Sequence, residues 1–166
     1  SMESYVEGMR DTLSRASGQK IESLDFSDDR LAHLLTYLSK SKYWHAIEHD
    51  LNERSIKVYD LCEETVRCDA TTVSGYHKVK EGGVMQFGHS KDDADLPQIK
   101  VMTGSLDPLG MPLATDVVPG QRADDGLYIP LIDRIDSGLK NSGLLFVGDC
   151  KMSALETRAY INARRH

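Results

Sequence analysis

Apolar positions along the chain change their period near residue 62. Before it they recur every three to four residues. Leu31, Leu34, Leu35 and Leu38 fall at i, i+3, i+4 and i+7, one stripe of an amphipathic helix. Ser27 stands as its cap, and Asp28 and Asp29 fill a first turn where acidic side chains are favourable. A second helix follows, with Trp44, Ile47 and Leu51 on one face. Both stripes read as packing surfaces. After residue 62 the period is two. Val66, Cys68, Ala70 and Thr72 alternate with Arg67, Asp69 and Thr71, which predicts a strand. Gln98 to Leu106 is a second strand, separated from the first by a loop over 76–83 and a short apolar piece over 84–87. Asp107-Pro108-Leu109-Gly110 has the residues of a type I turn. Residues 111–118 return as a third strand, and Pro112 near its start suits a sheet edge, where a missing N–H costs least.

Pro130 belongs in the first turn of a helix that Leu131, Ile132, Ile135 and Leu139 continue, with Gly143 beyond its end. The run Leu144-Leu145-Phe146-Val147 is continuously apolar, the pattern of a buried parallel strand, and it leads directly into Gly148-Asp149. Ser153-Ala154-Leu155-Glu156 predicts a capping box that opens a last helix. The order strand, strand, strand, helix, strand, helix defines an α/β chain with a mixed sheet. A helical segment, residues 1–62, precedes a sheet-bearing core, residues 63–166.

Composition narrows the function. The length of 166 residues suits one domain. No apolar run approaches the ~18 residues that cross a bilayer, and the N-terminus lacks a signal-peptide pattern, which argues against membrane and secreted roles. Ser1 ahead of Met2 reads as the scar of a removed tag. Cys62, Cys68 and Cys150 have no metal-finger spacing and read as free thiols of a reducing compartment. His45 and His49 lie one helical turn apart, but without an HExxH pattern they read as packing or surface groups. The net charge is −6. Residues 60–150 hold 15 acidic against 8 basic side chains, whereas nucleic-acid binders usually carry a basic footprint. Carboxylates can instead hold divalent cations that act on phosphates. Composition leaves both readings open.

Two carboxylates stand out by context. Asp69 interrupts an apolar, β-branched strand, and Asp149 sits at the carboxyl end of the apolar run, where open α/β sheets place ligands. A hairpin followed by a helical crossover brings the last strand parallel to the first and the two acids side by side. Adjacent carboxylates repel, so one is protonated or a cation sits between them.

Cys68-Asp69-Ala70-Thr71-Thr72 resembles the first catalytic strand of the DDE transposases of bacterial insertion sequences. Gly88-His89-Ser90-Lys91-Asp92-Asp93-Ala94-Asp95-Leu96-Pro97-Gln98 is similar to their Gly-Tyr-Ser-Lys-Asp…Asp-Leu…Gln segment. Asp107…Gly110-Met111-Pro112-Leu113 matches their turn and third strand, and Pro119-Gly120-Gln121…Asp124 their Gly-Asn…Asp loop. Val147-Gly148-Asp149 with Met152-Ser153 resembles the second catalytic motif, and Asp28-Asp29-Arg30-Leu31 is similar to the helical lead-in. The resemblance runs in one collinear order over residues 28–166. His89 stands for the family's Tyr, Ala94 for a common Arg and Gln121 for Asn.

This resemblance implies a ribonuclease-H-like fold with sheet order third, second, first, fourth, fifth. It implies cleavage and transfer of DNA strands by phosphoryl transfer with two Mg²⁺ (or Mn²⁺) ions, roughly 3.5–4 Å apart. Asp69 and Asp149 would be the catalytic acids and metal ligands. Lys91, His89 and Gln121 would contact DNA. The implied partners are transposon-end and target DNA and further copies of the chain in the active complex, in the bacterial cytoplasm near the nucleoid. The family's third acid, a Glu, lies well downstream of the second Asp, which puts it and the fifth strand beyond His166. Glu156 is instead read as the capping-box acid. The chain alone is therefore expected to be inactive. Two alternatives stand beside this reading: another ribonuclease-H-like nuclease, and a non-catalytic DNA-binding or oligomerisation module built on the N-terminal helices.

Overall fold

The period-two segments become strands where alternation predicts them: β1 (Thr65–Ser74), β2 (Gln98–Leu106) and β3 (Met111–Pro119). A short β4 (Leu145–Val147) completes one sheet of order β3-β2-β1-β4. β1–β2 and β2–β3 are antiparallel, and β1–β4 is parallel. The expected mixed arrangement, three antiparallel strands and a parallel fourth reached through a helix, is thus present, with the Pro112 strand at an edge. These features come from a computed structural model that describes residues 1–89, 93, 95–139 and 141–166.

Two units make up the chain, Ser1–Ile47 and Glu48–His166. The first holds α1 (Met2–Ser17), α2 (Asp28–Leu38) and the beginning of α3 (Ser41–Tyr59). Ser1 caps α1 by accepting from the Ser4 amide, and Gly18 ends that helix at φ 68°, a left-handed turn glycine tolerates. Here the expected packing stripes are only partly realised. Leu34 and Leu35 are 51% and 65% exposed, Ile47 remains similarly open, and α2 has no buried residue. The 3-10 turn Ser23–Phe26 that packs on α2 is too small to cover a four-leucine face. Ser27 precedes α2 as expected, but its hydroxyl makes no capping bond.

The second unit is layered. Along β2, Gln98, Lys100, Met102, Gly104 and Leu106 point into one buried face. Against this face lies α4 (Tyr128–Gly138), which presents Tyr128, Leu131, Ile132 and Ile135 at helical spacing. Pro130 falls in its first turn. Gly104 is what allows the close approach, since a Cβ there would lie 2.2 Å from Ile135 Cδ1. The far half of α3 is tied in by polar contacts. Asn52 donates to the Leu113 carbonyl, and Glu48 accepts from the Thr115 amide and pairs with Arg134 of α4 at 3.1 Å.

Two local expectations are corrected. α5 (Leu155–Ala163) starts behind Ala154, not Ser153. Ser153 closes a 3-10 turn over Cys150–Ser153, and its hydroxyl donates to the Cys150 carbonyl, so the capping box does not form. Asp149 caps that turn instead. Phe146 of β4 and Leu144 just before it are buried but Leu145 is 61% exposed, so the strand is covered on one side only. Among the described residues no helix is long and apolar enough to cross a membrane.

Gly104→Ala should cost about 1–3 kcal/mol, the usual penalty of overpacking a filled core. Gly126→Ala, where an added Cβ meets nothing within 4 Å, should be near neutral. Urea unfolding of the two variants checks this, and equal stabilities would contradict the packing described.

Candidate functional site

β1, β3 and β4 all run in one direction, so their carboxyl ends, the loop after β3 and the first turn of α4 share one end of the sheet. That is where α/β sheets collect ligands. β4 pairs with β1 only as far as Val147 opposite Arg67. β1 continues alone on that side, and its vacated edge, Ala70 to Thr72, forms one wall of a cleft of about 560 Å³. Two positions past the last pair stand Asp69 on β1 and Asp149 beyond β4. Gly148 makes the parting possible. A Cβ there would sit 3.2 Å from the Cys68 carbonyl and 2.6 Å from Met152 Sδ, so a side chain would crowd β1 and displace Met152.

The two acids are held differently. Asp69 is exposed, and its Oδ1 accepts from the Ala70 amide at 2.8 Å. Asp149 Oδ1 accepts from the Tyr128 hydroxyl at 2.7 Å and from the Lys151 and Met152 amides at 3.0 and 3.4 Å. The Tyr128 bond is the chief reason that the Asp149 carboxyl titrates below its ordinary range, with burial opposing and the two amides assisting. Tyr128 responds in the opposite sense. Burial first, then the bond to Asp149, then the fields of Asp149, Asp124 and Asp69 push its hydroxyl well above the ordinary phenol value. Its neutral O–H therefore lies within the field of all three carboxylates.

Asp124, in the loop between β3 and α4, pairs with both Lys100 and Lys151. Burial works against its charge, but hydrogen bonds from the two lysines outweigh burial and leave the carboxyl below its usual range. Lys100 also donates to the Arg122 carbonyl at 2.6 Å. The same cleft is lined by His89 and Gln121. They are brought together by Gln98, fully buried, which donates to the Gly120 carbonyl at 3.0 Å and to the His89 carbonyl at 3.4 Å. Gly88 and Gly120 have no room for a side chain, because a Cβ on either would lie 2.3 or 2.2 Å from a backbone oxygen of the other segments.

Of the residues singled out in the sequence, Asp69 and Asp149 thus each follow the last β1–β4 pair by two residues, and His89 and Gln121 share the adjoining cleft. Lys91 lies outside the described residues. Sequence reasoning missed Lys100, Tyr128 and Lys151. Lys100 carried a signal: a lysine between Gln98 and Met102 on the inward face of an alternating strand must find an anion. Of the two cysteines beside the acids, Cys68 is core, with burial pushing its thiol up to about 12, whereas Cys150 is exposed and has no packing role.

As a place for a hard divalent cation the pair fits in kind, since both donors are carboxylates. Among the described residues no group of three or more His, Cys, Asp or Glu comes together to hold a metal ion. Asp124 lies near but is engaged by its lysines.

No family model matches the chain, and no curated protein matches it in sequence. Among solved structures it is similar to the Mos1 transposase paired-end complex with left transposon end, at 10% identity over 74% of this chain, with a TM-score of 0.43. The chain spans 41% of that chain's length. So slight a likeness carries no residue role across.

Asp149, Asp124 and Asp133 all titrate below their ordinary range, the last through Tyr160 and Arg164. A depressed folded pKa gives stability that is present above the unfolded value near about 4 and is lost as pH falls through the folded one. Stability should therefore hold from neutral pH down to about 4 and then decline. Asp124→Asn should cost about 1–3 kcal/mol at pH 7, because Lys100 loses its charged partner. The variant should also show a shallower decline below pH 4. Urea midpoints across pH 2–7 check both, and an unchanged acid slope would contradict the assignment.

Proposed function

We propose that this chain is the catalytic-core portion of a DDE transposase of a bacterial insertion sequence, acting on DNA in the cytoplasm by metal-dependent phosphoryl transfer. The observation that supports it is that Asp69 and Asp149 each stand two residues past the last pair of two parallel strands, beside an open cleft, with the Tyr128 hydroxyl bonded to Asp149 and within the field of Asp69. The collinear motifs over residues 28–166 support the same reading.

Asp69 and Asp149 would hold the cation. A Mg²⁺ or Mn²⁺ held there would supply Lewis-acid activation of an attacking water or DNA 3′-hydroxyl and would offset charge on the leaving oxygen. The chain's own groups do the rest. His89, Gln121 and Arg122 line the cleft where a DNA phosphate would lie, with Lys91 in the same segment as His89. Asp124 pairs with both Lys100 and Lys151, so the triad keeps one net positive charge in the cleft, held on fixed side chains. Two carboxylates without a third give weak binding, because affinity falls with the number of charged ligands.

Mn²⁺ added to the chain should broaden NMR signals around Asp69 and Asp149 first. Broadening confined to Asp92, Asp93 and Asp95 would mean that other acids bind the ion. A cleavage assay of the protein on transposon-end DNA in Mg²⁺ or Mn²⁺ tests the reading. Asp69→Ala or Asp149→Ala should then reduce the rate by more than about 100-fold, since even small misplacement of the reacting groups has that cost. Cleavage that survives both substitutions would overturn the reading.

The exposed leucines of α2 favour a second reading, a non-catalytic DNA-binding or oligomerisation module. DNA affinity measured with and without Mg²⁺ separates them: a cation-dependent gain supports the catalytic reading, and indifference to Mg²⁺ the module.

A further inference from the structure

We infer that Tyr128 is a positioning residue that fixes the Asp149 carboxylate so that Oδ2, and not Oδ1, is presented to a divalent cation. The inference rests on the metal-dependent reading of Asp69 and Asp149 above. A carboxylate oxygen has about two lone-pair sites. Asp149 Oδ1 already receives three donors, the Tyr128 hydroxyl and the Lys151 and Met152 amides. Its coordinating capacity is spent, and the described residues place no such donors on Oδ2. The two amides belong to the turn that Asp149 itself caps, so they tie the acid only to its own segment. Tyr128 is different. It is fully buried at the head of α4, its ring is part of the hydrophobic core, and it links the acid to the layer that packs on the sheet. Lys151 anchors the same turn from the other side through Asp124. These two contacts hold the turn from outside, and of the two only the phenol touches the carboxylate.

Partners of this kind orient metal ligands, and their loss commonly costs about 10–100-fold in metal affinity. Tyr128→Phe keeps the ring and removes the donor. In the 166-residue chain the apparent Mn²⁺ dissociation constant, read from paramagnetic broadening near Asp69 and Asp149, should rise by about 10-fold or more. In an Asp149→Asn background the same substitution should change nothing further. Three-bond couplings about the Asp149 side chain, measured without metal, should report one rotamer in the wild type and averaging in Tyr128→Phe.

An unchanged Mn²⁺ affinity in a folded Tyr128→Phe variant would overturn the inference, as would an equal loss in the Asp149→Asn background, which marks a general structural effect. A wild-type Asp149 that averages its rotamers would overturn it too, with no variant required. Broadening away from Asp69 and Asp149 in the wild type would remove the metal-dependent reading and this inference together. Correct broadening with an indifferent Tyr128 would remove only the inference.

Discussion

A lysine on the inward face of a strand has to be answered. Lys100 lies between Gln98 and Met102 on the buried side of β2, and an unpaired ammonium there would cost several kcal/mol. Its answer is Asp124, which obliges the loop between β3 and α4 to fold back over the sheet end. Asp124 then also takes Lys151, which draws in the turn after β4. That turn begins with Asp149. The position of one candidate acid is thus tied, three contacts removed, to a charge buried on a strand two places away in the sheet.

Backbone constraint completes what charge begins. Gly148 lets the chain leave β4 while passing close to β1, and the departure leaves the edge from Ala70 onward open as a cleft wall. Gly88 and Gly120 do the same for the loops, which pack on Gln98 at distances no side chain would permit. These glycines stand inside the motif-like segments, and their reason is steric: each marks a place where two backbones meet.

The sheet was legible because alternation is an unambiguous signal when one face is buried. β2 begins and ends where its pattern does, and β3 extends one residue beyond its expected end. The helical stripes were legible as helices but not as interfaces, since periodicity says which side is apolar and not whether anything covers it; Leu34 and Leu35 are the example. Ser153 misled because a Ser-x-x-Glu pattern competes with a prior claim on the same backbone, the turn capped by Asp149. In the candidate site, Asp69 and Asp149 could be read from strand context alone. Tyr128 and Lys151 could not, because their roles depend on which loop folds over which strand, and no local pattern encodes that.

Cys68 immediately precedes Asp69, and its thiol is sealed in the core and pushed up to about 12 by burial. Cys150 immediately follows Asp149 and faces solvent. Cys62 is also exposed, but a hydrogen bond with Glu64, burial and neighbouring acids hold its thiol above the ordinary value. Since the thiolate is the species that reacts, alkylating reagents meet three sulfurs of graded accessibility on one chain. Cys68 becomes a native chemical stopwatch for the parting of β1 from its neighbours, and Cys150 a natural handle for a spectroscopic label one residue from a candidate acid.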